Sequence, residues 1–446
     1  MRVPVVLSTP AVPALRDVFE MQRQGFSPDA LASVLSRLPT SERFRIDPRQ
    51  LPFPTQQQGA ERVFVPSDEA NAYLMAGTLE VDSIERVPDR IDGQQVFADA
   101  ILDICLSCFD SPAIGARADV EAQLGVATLR ASGLDGSGVA IAIVDTGINL
   151  DWLEQRLGFR PSLDRSLSWT PPGVNFEPGH YPVGHGTMCA YSALIAAPNA
   201  TLIDIPAMLG NPSGGAAIGR RVSQVFAAMS PLIAAWTIAF TPSGDRPYKS
   251  LVISNSWAMF NPGMDFLVGH PGRYADNPNH FFTAMLTALA GNAVDLVFAA
   301  GNCGDDCPHP RCEGNVQHAI AGANASAAVL TVAGCDVSGA RVGYSSKGPG
   351  IPGMAGEKPD LAAYTHFLGS EALGAGVPDK GTSTSCPVAA GCIAALRTAL
   401  PAAGFPSAEL NRVLRETARL AGGWHPDVGY GLLDAVAAAR RLALIP

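Results

Sequence analysis

Charge is scarce in this chain. Only 16% of its 446 residues are Asp, Glu, Lys or Arg, and the basic share is the smaller one, 31 against 41 acidic residues. The formal net charge of -10 sets the surface against phosphate backbones, so no nucleic-acid partner is expected. Long apolar runs are missing too. No stretch reaches the ~18 residues that a bilayer-spanning helix needs, and no membrane partner is expected. The opening MRVPVVLSTPAVPALRDVFE is broken by Pro4, Pro10 and Pro13 and followed by Asp17, which does not make a secretion signal. A cytoplasmic setting is expected, with export routes that leave no N-terminal signature left open.

The nine cysteines do not form a simple paired framework. Cys105 and Cys108 make a CxxC, and Cys303, Cys307 and Cys312 cluster in GNCGDDCPHPRCEG. Cys189, Cys335, Cys386 and Cys392 stand apart. Local disulfides, free thiols and a zinc site completed by His309 all suit the cluster's spacing, though zinc wants four ligands and the first two are preferred.

What is present is ample material for a core, with 47% hydrophobic residues. Residues 1–92 read as a small α+β unit. RVPVVLS is β-like. A helix follows Ser27 and Pro28, with Leu31, Val34, Leu35 and Leu38 on one face. FRID and RVFV are β-like again. Ser67 is placed to cap a second helix carrying Ala70, Tyr73 and Leu74, and SIERVP alternates as a last strand. That order, β-α-β-β-α-β, is ferredoxin-like. Residues 93–134 lack a sustained period and read as a linker or processing region leading into the next domain.

From 135 to 446 the texture changes. VAIAIVD, ATLIDI, LVISNSW, DLVFAAGN and AVLTVAG are apolar on both faces and alternate with helical patterns. Such strands belong to a parallel α/β sheet with helices on both sides.

Three segments there carry chemistry. In VAIAIVDTG a strand ends on Asp145, beyond the carboxyl edge where open parallel sheets bind ligands. In VGHGTMCAYSALIAA, His185 lies between glycines at the head of a helical run. In KGTSTSCPVAAGCIAAL, Ser383 precedes a helix whose free N–H groups favour an oxyanion. Taken singly, each has a plainer reading as a turn, a core histidine or a helix cap. Together, in the chain order Asp, His, Ser, they match the order of the subtilisin triad.

VDTG, GHGT and GTSTSCP resemble the three signature segments of the subtilisin-like serine proteases, the subtilases, over roughly 120–440. The resemblance implies a parallel-sheet peptidase domain with Asp145, His185 and Ser383 as its triad. By the same resemblance Asn302, in DLVFAAGNCG, is the oxyanion-hole donor. SNSW is similar to the strand that pairs with substrate and walls the pocket for the residue before the cleaved bond. Ser254, Ser256, Trp257, Ala299 and Gly301 are therefore the expected substrate-binding residues. Expected partners are a peptide or protein substrate and the chain's own N-terminal domain, which resembles a propeptide that blocks the active site and is cut off between about 93 and 115. No cofactor is implied, no metal is expected, and no run carries the calcium ligands of extracellular relatives. A dedicated maturase or transpeptidase for one peptide, and an inactive peptide-binding scaffold, are the alternatives. A sedolisin-type peptidase would need Glu where His185 stands.

Overall fold

The computed structural model describes residues 1–11, 15, 18, 28–35, 43–58, 61–65, 69–105, 111–210, 219–239, 247–419 and 422–446. The N-terminal part contributes β1 (Arg2–Pro10), α1 (Pro28–Leu35), β2 (Phe44–Ile46), β3 (Phe53–Gln58), β4 (Glu61–Phe64), β5 (Ala72–Glu80), β6 (Arg90–Ile91) and β7 (Gln94–Ala98). They form one antiparallel sheet in the order β4-β3-β5-β1-β7-β6, with β2 also on β5. The sheet thus runs on to Ala98.

This departs from the ferredoxin-like order. The helix expected across Ala70, Tyr73 and Leu74 is instead the long strand β5, paired along its whole length with β1. Its residues are buried on both faces, so they show no period of two, and an apolar run of this kind reads equally well as a helix. Ser67, its expected cap, and Ser27 and Leu38 at the ends of the first helix lie outside the described residues. SIERVP holds a short 3-10 turn at Ile84–Arg86, not a strand.

The second part opens with β8 (Ile101–Ile104), α2 (Arg117–Leu124) and α3 (Val126–Ala131). There follow β9 (Val139–Val144), α4 (Leu150–Leu157), α5 (His185–Ala193), β10 (Thr201–Ile205), β11 (Arg220–Arg221) and α6 (Val222–Ala239). Then come β12 (Ser250–Asn255), β13 (Trp257–Ala258), α7 (Phe281–Gly291), β14 (Val294–Ala299), β15 (Leu330–Cys335) and β16 (Leu361–Tyr364). The chain closes with α8 (Thr382–Arg397), α9 (Ser407–Thr417) and α10 (Ala435–Arg441). Six strands make a wholly parallel sheet in the order β10-β9-β12-β14-β15-β16.

Side-chain alternation divides each strand between two cores. Ala140, Ala142 and Val144 of β9 join Phe226 of α6 and Phe281 of α7, while Val139, Ile141 and Ile143 join Met188 of α5 and Val388 of α8. The N-terminal sheet extends the first of these cores. Phe53 meets Phe226 edge-on at 4.8 Å, and Phe97 meets Phe281 at 5.7 Å. α8 is anchored beneath the sheet by a fully buried fork, Arg397 Nε and Nη2 each 2.7 Å from a carboxylate oxygen of Asp295. Both charges are satisfied there, as burial requires. A third, small antiparallel sheet, β11-β8-β13, lies at the carboxyl edge of the main one. Among the described residues no helix is long and apolar enough to cross a membrane.

Candidate active site

The loops after β9 and before α5 bring Asp145 to His185. Gly147 takes φ +102°, and a Cβ there would strike the Tyr181 ring at 2.4 Å. Gly186, the second residue of α5, lies against the Gly147 backbone, and its amide donates to Thr146 Oγ1 at 2.9 Å. Gly184 is in ordinary extended backbone, so the close approach needs the glycine after His185 more than the one before it. The result is a buried contact of 2.7 Å between His185 Nδ1 and Asp145 Oδ1, with the Thr146 amide also on Oδ1 at 2.7 Å. A carboxylate accepts and cannot donate, so Nδ1 is the donor in this contact and Nε2 is the ring nitrogen turned away from Asp145. Nε2 is buried with no hydrogen-bond partner among the described residues.

Cys189 lies one helical turn past His185, four residues on and therefore on the same face. Its Sγ is 3.4 Å from Asp145 Oδ2 and 3.3 Å from the Ser383 carbonyl oxygen. Asp145, His185 and Cys189 bring donor atoms within 4.8 Å of one another. Burial, then the Asp145 charge, pushes the Cys189 thiol well above its usual range, so it stays protonated and donates.

Ser383 is the second residue of α8, not the residue before it, and its N–H is one of the first four that have no partner within the helix. Pro387 has no N–H to offer the carbonyl four residues back, that of Ser383. This carbonyl instead accepts from Ser256 Oγ at 3.0 Å, with Cys189 Sγ in contact at 3.3 Å. Proline in the first turns thus frees the group that ties the serine to both sides of the cleft. Cys386, next in α8, packs under β12, its Sγ 3.6 Å from both the Asn255 carbonyl and Ser254 Oγ.

Asn302 follows β14 directly after Gly301, which takes φ +96°. Its Oδ1 accepts from the Thr382 amide at 3.0 Å and from Thr382 Oγ1 at 2.9 Å. Thr382 Oγ1 in turn accepts from the Gly301 amide at 3.1 Å. With Oδ1 so held, the NH2 group of Asn302 faces the cleft. Thr382, absent from the sequence-based set, is the residue that orients it, and its place between Gly381 and Ser383 is the signal that points to it.

The cleft is filled by the chain itself. β8 lies antiparallel between β11 and β13, Leu102 opposite Arg220 and Ile104 opposite Trp257. The Cys105 amide donates to the Ser256 carbonyl at 3.1 Å. The Cys105 carbonyl oxygen then receives both Ser383 Oγ at 2.7 Å and Asn302 Nδ2 at 2.8 Å. Gly381, at φ +87°, gives this oxygen its room, because a Cβ there would stand 2.6 Å from it. Ser383 Oγ is turned to the carbonyl and not to the His185 ring.

Of the expected substrate-binding residues, Ser256 and Trp257 meet β8 through their backbones. The Trp257 side chain turns into the core, 5.1 Å edge-on from Phe298. Ser254 lies under α8, and Ala299, the last residue of β14, and Gly301, just past it, are buried with no hydrogen bond to β8 among the described residues. Cys303 and Cys312 form a disulfide and Cys307 is also disulfide-bonded, while Cys105, Cys189, Cys335, Cys386 and Cys392 are free. Cys108 lies outside the described residues.

The sequence profile of the Peptidase_S8, or subtilase, family matches residues 136–431. The chain belongs to the subtilase family. This subtilase is a subtilisin-like serine protease, and the match begins where the parallel sheet does. Among solved structures it is similar to MycP1 from the ESX-1 type VII secretion system, at 18% identity, covering 80% of this chain and 94% of that one with a TM-score of 0.47. A lanthipeptide protease is similar at 16% identity, covering 74% and 99% with a TM-score of 0.48. MycP1 from Mycobacterium smegmatis is similar at 18% identity, covering 80% and 94% with a TM-score of 0.48. No curated protein matches the chain.

Proposed function

We propose that this subtilase is an endopeptidase acting through Asp145, His185 and Ser383, made as a precursor that its own N-terminal part inhibits. One observation carries the reading. The Cys105 carbonyl oxygen is held at 2.7 Å by the Ser383 hydroxyl and at 2.8 Å by the Asn302 amide. A nucleophile and an oxyanion donor converging on one carbonyl are what peptide hydrolysis needs.

In the reaction His185 Nε2 takes the Ser383 proton as Oγ bonds to the scissile carbonyl carbon. Asp145 holds the ring with its proton on Nδ1 and stabilises the positive charge that forms. Asn302 Nδ2 and the N–H groups at the start of α8 stabilise the oxyanion. Its collapse breaks the C–N bond, and His185 returns the proton to the leaving amine. Water then adds to the acyl ester and releases the acid and Ser383. For this cycle the Ser383 hydroxyl swings from the Cys105 carbonyl to Nε2, which has no hydrogen-bond partner among the described residues and so is open to it.

The first substrate is the bond from Cys105 to Leu106. The strand β8 is then a product, and the cleft opens to other peptides when the N-terminal sheet packed on α6 and α7 separates and takes β8 with it. A Ser383→Ala chain tests the reading. Wild type yields a fragment beginning at Leu106 and takes a fluorophosphonate on Ser383, while the variant stays whole and unlabelled. Equal processing of the two chains would remove Ser383 from the mechanism. The Cys303–Cys312 disulfide favours work in an oxidising compartment over a cytoplasmic one. Acid-quenched alkylation showing both thiols reduced would restore the cytoplasmic setting.

A further inference from the structure

Within the cleft one charged side chain of β8 is buried. Asp103, two residues before Cys105, is 5% exposed. An ionised carboxylate at such a place needs partners. One is the backbone N–H of the following residue, Ile104, at 2.9 Å, and it belongs to the occupying strand itself. The other two belong to the cleft: the Arg311 guanidinium, in an ion pair, and the Gly219 backbone N–H.

Both cleft partners are built in. Arg311 stands in the short 3-10 turn Pro310–Cys312, immediately before Cys312, whose disulfide partner Cys303 follows Asn302. The His309 amide donates to the Asn302 carbonyl at 2.9 Å, and the Cys312 amide to the His309 carbonyl at 2.9 Å. The arm that carries Arg311 is therefore fixed, by covalent and hydrogen bonds, to the residue that holds the scissile carbonyl. On the opposite side Gly219 packs its backbone against β8, where a Cβ would stand 2.3 Å from the Ile101 side chain of that strand. A cavity of about 160 Å³ adjoins the pair, lined by Ile101, Asp103, Met259, Phe260, Met264 and Arg311. Glu313 also lines it, with its carboxylate taken by Asn261 Nδ2 at 2.8 Å.

We propose that Arg311 and the Gly219 N–H form a subsite that selects peptides with Asp or Glu two residues before the residue whose carbonyl is attacked. This rests on the endopeptidase reading above and narrows its substrates. The occupant Leu102-Asp103-Ile104-Cys105 is then a built-in example of the preferred sequence, and cleavage is directed to acidic sites, not spread over any exposed strand.

The test uses the full chain after its own processing, with active sites counted by fluorophosphonate. Two internally quenched peptides carry residues 101–107, one with the native Asp and one with Lys in its place. On wild type the Asp peptide should have the higher kcat/KM by roughly 10- to 100-fold, the worth of a charge-assisted hydrogen bond made to one peptide and a repulsion met by the other. Arg311→Glu should invert the ratio, and Arg311→Gln should bring it near one. Each ratio is read on a single enzyme preparation, so partial loss of folding does not distort it. Wild type cutting both peptides alike overturns the subsite and leaves the endopeptidase standing. A ratio unchanged in both Arg311 variants overturns the role of Arg311. Wild type that cuts neither peptide and takes no probe overturns the endopeptidase reading, and the subsite with it.

Discussion

Gly186 and Gly147 are in backbone contact, so close that a Cβ on Gly186 would stand 2.5 Å from the Gly147 carbonyl oxygen and 2.9 Å from its nitrogen. The atoms met are backbone and cannot swing away. This contact sets the distance between the end of β9, where Asp145 lies, and the start of α5, where His185 lies. Gly186→Ala should therefore push the pair apart. We expect a destabilisation of about 1–3 kcal/mol, the usual cost of overpacking. Fluorophosphonate labelling should slow by more than the lost folded fraction explains. Labelling at the wild-type rate in a folded variant would show that the glycine contact does not set the dyad.

Thr382 supplies the second prediction, because it holds Asn302 by Oδ1 and leaves the NH2 group for the Cys105 carbonyl. Asn302→Ala should lower kcat by about 10²–10³, the size known for the oxyanion donor of subtilisin, with KM little changed. Thr382→Val removes one of two donors to Oδ1 and orphans the Gly301 amide, so kcat should fall by about 5- to 10-fold, the worth of one buried hydrogen bond. Thr382→Ser should restore it. A loss confined to KM, or one that serine fails to repair, would mean that Thr382 serves the fold alone.

Much of this is legible in the sequence for physical reasons. Strands apolar on both faces give a covered parallel sheet, and Asp145, His185, Asn302 and Ser383 each stand near a glycine at a strand end or helix start. The N-terminal part is less legible. Ala72–Glu80 is central in its sheet and buried on both faces, so the period that separates strand from helix is erased. The cleft occupant is hidden for another reason. Ile101–Ile104 is too short to have a pattern of its own, and it becomes a strand only by pairing with Arg220–Arg221 and Trp257–Ala258, far along the chain. The pairing of Asp103 with Arg311 inherits that distance. Cys189 has a local signal, its place one turn after His185 on the same face, although by spacing among the cysteines it stands alone.

Cys189 is the subject of the third prediction. Its thiol is fully buried, protonated and donated toward Asp145 Oδ2 while it also touches the Ser383 carbonyl. Native protein should therefore keep its activity under iodoacetamide at pH 8, since attack needs a thiolate and access. Cys189→Ala should lower kcat several-fold by leaving Asp145 Oδ2 without this donor, with KM little changed. Rapid inactivation by the alkylating agent, traced by peptide mass to residue 189, would place the thiol in reach of solvent and undo the assignment.

Asp204 gives a prediction in pH. It sits fully buried in β10 beneath the Asp145–His185 loops, its Oδ2 accepting from the Gly179 amide at 2.9 Å and the Ile148 amide at 3.2 Å, its Oδ1 without a partner among the described residues. Burial first, and the Asp145 charge after it, push this carboxyl up to about 7, against the pull of the two amides. The folded value lies above the unfolded one of about 3.9. Between roughly pH 4 and 7 the folded protein thus keeps a proton that the unfolded chain has lost, and stability falls as pH rises through that window. Asp379, pushed to about 7, and Asp99 and Asp265, each to about 6, act with the same sign. Asp204→Asn keeps the acceptor for both amides and cannot ionise. In a Ser383→Ala background, chosen against self-digestion by the proposed mechanism, urea midpoints of the two chains should agree near pH 3.5 and diverge by pH 8 in favour of asparagine. The gap has an upper bound of roughly 4 kcal/mol. A gap that stays constant across the window would mean that Asp204 is ionised in both folded and unfolded chains, and that its burial is relieved by water or a counter-charge reaching Oδ1.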